Sequence, residues 1–216
     1  MDFFAAFTPD NLKFLVEGFY VTLKVAFISI FFSFIIGGIV GTLRFAKIPI
    51  LSKILAVFVE TIRNLPLLLI ILFTYFALPE MGINLSITVS AIVALTVFES
   101  AMLAEIVRGG LASIEKGQME AARSSGLSYV QALRTVILPQ ALRRMVPNLV
   151  SQFISLLKDT SLAVVIALPE LLHNAKIIYA HHPNDVIAVF ILISLMYFVV
   201  NYALSLIAGR LELKST

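Results

Sequence analysis

An acidic side chain stranded in an apolar run is the first residue here that could do chemistry. Glu99 stands near the middle of the stretch from Ser86 to Val107, where an ionised carboxylate is costly in hydrocarbon and a functional candidate by default. A second acid, Asp159, is followed by Thr160 and Ser161 and ends a stripe of Asn148, Ser151, Gln152 and Ser155. Steps of three and four put that stripe on one helix face, as interhelical glue or as the wall of a wet path. Asn64 lies beside Pro66, which forbids a regular helix and frees carbonyls upstream. Counted from the same edge of each apolar run at about 1.5 Å per residue, Asn64, Glu99 and Asp159 reach similar depth. Two buried negative charges suit a guanidinium or ammonium group. Asn64 would then take a neutral or amino group, while Thr160, Ser161 or backbone N–H groups meet a carboxylate. Arg63 and Lys158 are the competing structural partners for the two acids. Glu60 and Arg63 are spaced to pair along one helix face.

The elements that must carry these residues are membrane helices. The 216-residue chain is 60% hydrophobic and 13% charged, with a mean hydropathy of +1.00, far from the balance of a soluble domain. Five stretches, near 16–43, 50–78, 86–108, 140–168 and 184–208, reach the roughly 20 helical residues that cross a bilayer. The expected fold is an all-α integral membrane protein, residues 1–216 forming one transmembrane domain of five helices. Gly37, Gly38 and Gly41, with Ser29 and Ser33 earlier in the first span, favour close helix packing. The last span is nearly pure packing surface. The chain has no cysteine, hence no disulfide or thiolate metal site. Its acidic start argues against a cleaved signal peptide.

Basic residues set an expected orientation. Arg44, Lys47 and Lys53 follow the first span, Arg108, Lys116, Arg123, Arg134, Arg143 and Arg144 surround the third connection, and Arg210 and Lys214 close the chain. Lys13 and Lys176 are nearly alone on the other side. The N-terminus is therefore expected outside, with the 115–139 loop and the C-terminus in the cytoplasm.

That loop, EKGQMEAARSSGLSYVQALRTVILP, is the most polar long stretch of the chain. Met119–Ser124 and Ser128–Arg134 read as two helical pieces with a bend at Gly126, and Pro139 as the opening of a new helix. Glu120, Ala121, Ala122, Gly126, Leu138 and Pro139 resemble the EAA loop of permease subunits in ABC importers, with Val136 a conservative departure at the aliphatic position. The stretches Glu60–Pro66, Ala104–Gly110 and Lys158–Leu162 resemble the polar amino acid permeases of that superfamily. The resemblance implies a coupling helix seated on a cytoplasmic ATPase subunit, with Glu120, Ala121, Ala122 and Gly126 forming the contact. It also implies a second permease subunit, identical or a paralogue, and an extracytoplasmic amino-acid-binding protein, all in a bacterial inner membrane. Against that family, Glu99 stands where a neutral residue is expected and reads as a specificity feature.

No Gly-x-x-x-x-Gly-Lys-Ser/Thr loop occurs, so ATP and Mg belong to a partner ATPase and this chain needs no cofactor of its own. The predicted function is a permease subunit, not an enzyme, for polar and specifically basic amino acids: arginine, lysine or histidine. The rival is an ion-coupled secondary carrier with Glu99 and Asp159 binding protons or cations, but no internal repeat of that kind is present. An intramembrane hydrolase lacks its Ser/His pattern. His173, His181 and His182, ahead of Asp185, lack a convincing metal-ligand spacing and read as part of a surface that receives a binding protein.

Overall fold

A computed structural model describes residues 7–181 and 183–213, which are almost wholly helical and contain no strand. Helix α1 (Pro9–Phe45) begins where the Thr8 hydroxyl accepts the Asn11 N–H at 3.2 Å and Pro9 opens the first turn. Its buried face is mostly small or polar, with Gly18, Thr22, Ser29, Ser33, Gly37 and Gly41 on it beside Leu15, Val25 and Ala26. Phe27, Phe31, Phe34 and Ile39 point outward and are exposed. This inverts the pattern of a soluble helix and matches packing in lipid, where close backbone approach replaces the hydrophobic drive.

Helices α2 (Leu51–Asn64), α3 (Leu67–Leu72) and the short α4 (Leu78–Glu80) form a bent arm. Pro66 breaks it, and the two limbs meet at 102°. Ser86 then caps α5 (Ile87–Ala112) by accepting the Val89 N–H. Ser29 Oγ donates to the Ile92 carbonyl at 3.5 Å and Ser33 Oγ to the Thr96 carbonyl at 3.2 Å. Farther along, Gly37 abuts Ser100 and Leu103, and Gly41 abuts Ala104 and Val107. Both numberings rise together, so α1 and α5 run parallel. The chain between them must return across the same thickness, which makes the bent arm a crossing.

Four helical runs, Pro9–Phe45, Ile87–Ala112, Tyr129–Ile166 and Pro183–Ile207, are long and apolar enough to span a membrane, and the bent arm supplies a fifth. After α6 (Lys116–Ser124) and α7 (Tyr129–Ala132), α8 (Leu138–Asp159) runs back against α5: Met145 packs at Gly110 and Gln152 reaches Glu99. A 3-10 segment, Thr160–Ile166, ends at Ala167 in the left-handed region, φ 57°. Helix α9 (Leu171–His181) lies across the far end, and α10 (Val186–Leu213) begins there, where Ala188, Val189 and Ile193 pack on Leu15, Leu171 and Ile178.

Pro139 does stand in the first turn of α8, as expected, but α8 continues the preceding helical piece instead of starting afresh. Residues 129–166 form one helical run, because a π-helical turn, Leu133–Ile137, precedes Leu138-Pro139. The Leu138 N–H bonds the Leu133 carbonyl, and the widened turn leaves room for the proline ring. The same device, Phe73–Ala77, precedes Leu78-Pro79. The expected Glu60–Arg63 pair is likewise only part of a larger network. Arg44 Nη1 meets Glu105 at 2.8 Å and Arg44 Nη2 meets Glu60 at 3.7 Å, Arg63 stands 3.4 Å from Glu60 and 4.0 Å from Glu105, and Arg108 bonds Glu105. It ties α1, α2 and α5 together at the α6 end.

The α1–α5 seam gives a direct test. A Cβ at Gly41 would lie 2.5 Å from the Ala104 oxygen and 2.8 Å from Val107 Cβ, whereas one at Gly38 would meet nothing within 4 Å. Gly41→Val should lose about 1–3 kcal/mol or more of stability, the usual cost of overpacking, and Gly38→Val little. Thermal melting of the two purified variants in detergent checks this, and equal melting temperatures would contradict the seam.

Candidate functional site

Burial and pairing single out Glu99. Its side chain is fully enclosed between α5 and α8. Oε2 accepts from Gln152 Nε2 at 3.1 Å, and Oε1 has no hydrogen-bond partner among the described residues. A buried acceptor left open is uncommon and expensive, and at a functional site it is a place for a donor to arrive. Arg63, one of the two basic residues set against it from sequence, is committed to Glu60 and Glu105. Asp159 is half-buried at the end of α8, and no hydrogen bond joins it to Glu99 among the described residues. Its own neighbouring cation is Lys158, which points to the exterior.

The remaining candidates divide. Thr160 is buried, but its hydroxyl donates to the Leu157 carbonyl at 2.7 Å, and Ser161 donates to the Lys158 carbonyl at 2.7 Å. Both hydroxyls serve the tightened end of α8 in this conformation; Thr160 is fully enclosed and also meets the Tyr197 hydroxyl, while Ser161 keeps its acceptor lone pairs. Asn64 is exposed at the break of the bent arm, and its amide nitrogen donates to the Glu60 carbonyl at 2.7 Å. No hydrogen bond joins it to Glu99 or Asp159 among the described residues. The structure therefore joins Glu99 to Gln152, places Asp159 about two turns farther along α8, and leaves Asn64 on a neighbouring element. Asn148 and Ser151 are exposed, and Ser155 and Gln152 are half-exposed. The polar stripe of α8 thus opens outward on the side away from the buried Met145, Leu149 and Leu156.

Two residues passed over as site candidates matter. Gln152, read only as part of the stripe, is the direct partner of Glu99. Glu170 is fully buried, accepts from the Leu172 and His173 N–H groups at 2.9 and 2.7 Å, and receives the Tyr197 hydroxyl at 3.3 Å. Burial pushes its carboxyl up to about 7, against the opposing pull of those hydrogen bonds. It caps α9 and fastens it to α10. A signal was available in Pro169-Glu170 just ahead of an apolar run, since an acid there suits a helix N-terminus. His181 bonds the Ile177 carbonyl through Nδ1, and His182 lies outside the described residues.

The polar loop is built to hold α6 in one orientation. Ala122 is buried and Met119 half-buried against the scaffold, while Glu120 and Ala121 are exposed. At its end the Gly126 N–H bonds the Arg123 carbonyl and the Leu127 N–H bonds the Ala122 carbonyl. This is the Schellman pattern, with Gly126 at φ +89° in the position that favours glycine. Two residues on, Ser128 and Gln131 form a reciprocal capping box that starts α7. A helix stopped and restarted within four residues presents its outer face rigidly.

Comparisons with known proteins agree with this architecture. Residues 29–215 match the family described as "Binding-protein-dependent transport system inner membrane component". The chain is 66% identical to the probable glutamine ABC transporter permease protein GlnP of Bacillus subtilis (strain 168), over 100% of both chains. It is 40% identical to the probable glutamine ABC transporter permease protein GlnM of the same organism, over 94% of each. Among solved structures, an amino acid ABC transporter crystallised with histidines superposes with a TM-score of 0.90, at 29% identity and 99% coverage of both chains. Such permeases are transport components rather than enzymes. The chain belongs to the family of binding-protein-dependent transport system inner membrane components, as an amino-acid permease subunit of the ABC importer type.

Proposed function

We propose that this subunit carries glutamine, or a closely similar polar amino acid, inward across the membrane at the expense of ATP hydrolysed on partner subunits. The observation that carries the substrate reading is the unpaired Oε1 of Glu99, buried beside Gln152. Every amino acid brings an α-ammonium donor, and glutamine adds a carboxamide NH₂. Either can donate to Oε1, and the free lone pairs of Ser161 and the outer part of Asn64 remain for polar atoms on the rest of the substrate. The name of the 66% identical relative favours glutamine. A second reading keeps arginine, lysine or histidine, favoured by the presence of two acids, Glu99 and Asp159, along the α5–α8 side and by the histidines in the related crystal structure.

In this account α6 is the coupling element, with Glu120, Ala121 and Gly126 facing a cytoplasmic ABC ATPase that holds ATP and Mg, and Ala122 anchoring the helix from beneath. A second permease subunit, identical or paralogous, faces the exposed stripe of α8, and an extracytoplasmic binding protein delivers the amino acid. The N-terminus is then outside and the α6 loop and C-terminus cytoplasmic. ATP-driven approach of the two coupling helices would rock the membrane halves between inward and outward access.

Two variants test separate parts of this reading. Glu99→Gln keeps an oxygen for Gln152 and replaces the open acceptor by a donor, so labelled glutamine uptake into proteoliposomes of the whole complex should fall on the order of tenfold or more, the loss of one charged hydrogen bond. Unchanged uptake would remove Glu99 from the path. Gly126→Val forces a β-branched residue to φ +89°, with no contact nearer than 4 Å to confuse the result. ATP hydrolysis should continue while uptake stops, with the permease still assembled in the membrane. Retained coupling would count against α6.

A further inference from the structure

Away from Glu99, a cavity of about 470 Å³ opens between the ends of α1 and α5 and the first turns of α6. Four cationic side chains line it, Arg44, Lys47, Arg108 and Lys116, against two acidic ones, Glu115 and Glu120. Arg44 and Arg108 share Glu105, while Lys47 and Lys116 form no ion pair among the described residues. Four cations against Glu105, Glu115 and Glu120 leave a single net positive charge around the cavity. The rest of the wall is mainly apolar, with Phe45, Met119 and Ile137 on it. A site for a free inorganic anion has no use for such a wall.

The linker that supplies Lys47 points to the ligand class. Lys47 and Ile50 both adopt left-handed backbone, φ 52° and 68°, a conformation that bulky L-residues seldom take and that surrounding structure must impose. This turn leaves Ile48 and Ile50 exposed at 40% and 72%, beside the exposed Lys47. Aliphatic side chains facing outward at the level of a cationic cluster mark the boundary between acyl chains and headgroups. We propose that the cavity holds the phosphate of an anionic phospholipid from the leaflet on the α6 side. Lys47 and Lys116 contact the phosphate, and the acyl chains leave past Ile48 and Ile50. The lipid would tie the end of α1 to the start of α6.

Native mass spectrometry of the full chain, with palmitoyl-oleoyl-phosphatidylglycerol or the phosphatidylcholine of the same chains, tests this. The wild type should retain phosphatidylglycerol preferentially. Lys47→Gln and Lys116→Gln should each weaken that retention roughly fivefold, as expected for one basic residue near an anionic headgroup. Arg143→Gln, exposed on α8 and outside the cavity, should leave it unchanged. Equal retention of the two lipids, or equal loss with Arg143→Gln, would overturn the site. So would displacement of phosphatidylglycerol by millimolar inorganic phosphate, which would assign the cavity to a free anion. The lipid preference and the phosphate competition are read on the wild type, so they decide the matter even if a variant folds poorly, and neither depends on which amino acid is carried.

Discussion

The contact on which the rest of the structure depends is the parallel seam between α1 and α5. Backbones approach there because Gly37 and Gly41 carry no Cβ, and Ser29 and Ser33 use their hydroxyls across the gap on α5 carbonyls. In hydrocarbon such contacts must replace the hydrophobic effect, so the small residues lie inside and the phenylalanines outside. Parallel alignment of two helices separated by one connection compels the bent arm to cross. It also fixes the rotation of α5, on which Glu99, beside the α1-facing Thr96 and Leu103, reaches Gln152 of α8. The five-residue charge network at the α6 end and the Glu170 cap at the other end hold the seam from both sides.

Prolines set the other geometric constraint. Pro66 breaks its helix outright, and the 102° turn that results puts Asn64 at a corner. Pro79 and Pro139 do not break theirs, because a π-helical turn stands ahead of each. The difference decides how motion could pass through the molecule. A run from Tyr129 to Ile166 makes one lever of the helix that follows α6 and the helix that carries Gln152 and Asp159. A displacement of α6 can then reach the Glu99 cluster through continuous helix, by way of two rigid caps at Gly126 and Ser128. This chain of contacts gives the permease reading a mechanical form.

Much of this was legible in the sequence, for reasons that differ by residue. The glycine and serine stripe of α1 is visible because small residues at helical spacing in an apolar run have few other uses. Glu99 is visible because a charge at that depth is costly, and Gly126 because an abrupt helix end favours glycine. What was hidden depends on long-range contact. Gln152 and Glu99 are 53 residues apart, and Arg44 and Glu105 are 61 apart, so no local pattern joins them. The π-helical turns leave no periodic signature, which is why the continuity of the helix through Leu138-Pro139 was hidden. Asn64 matched the acids in depth along the axis, but depth says nothing of rotation about it, and its nitrogen is spent on Glu60. Counting acids does not choose among polar amino acids, because a carboxylate oxygen accepts from an amide or α-ammonium donor as well as from a guanidinium.

The most direct measurement of the central claim is ATP hydrolysis by the reconstituted complex of this chain with its ATPase and binding protein, comparing glutamine, arginine and glutamate. The account predicts stimulation by glutamine, weaker or no stimulation by arginine, and none by glutamate. Failure of every amino acid to stimulate hydrolysis in a complex that does assemble would contradict it.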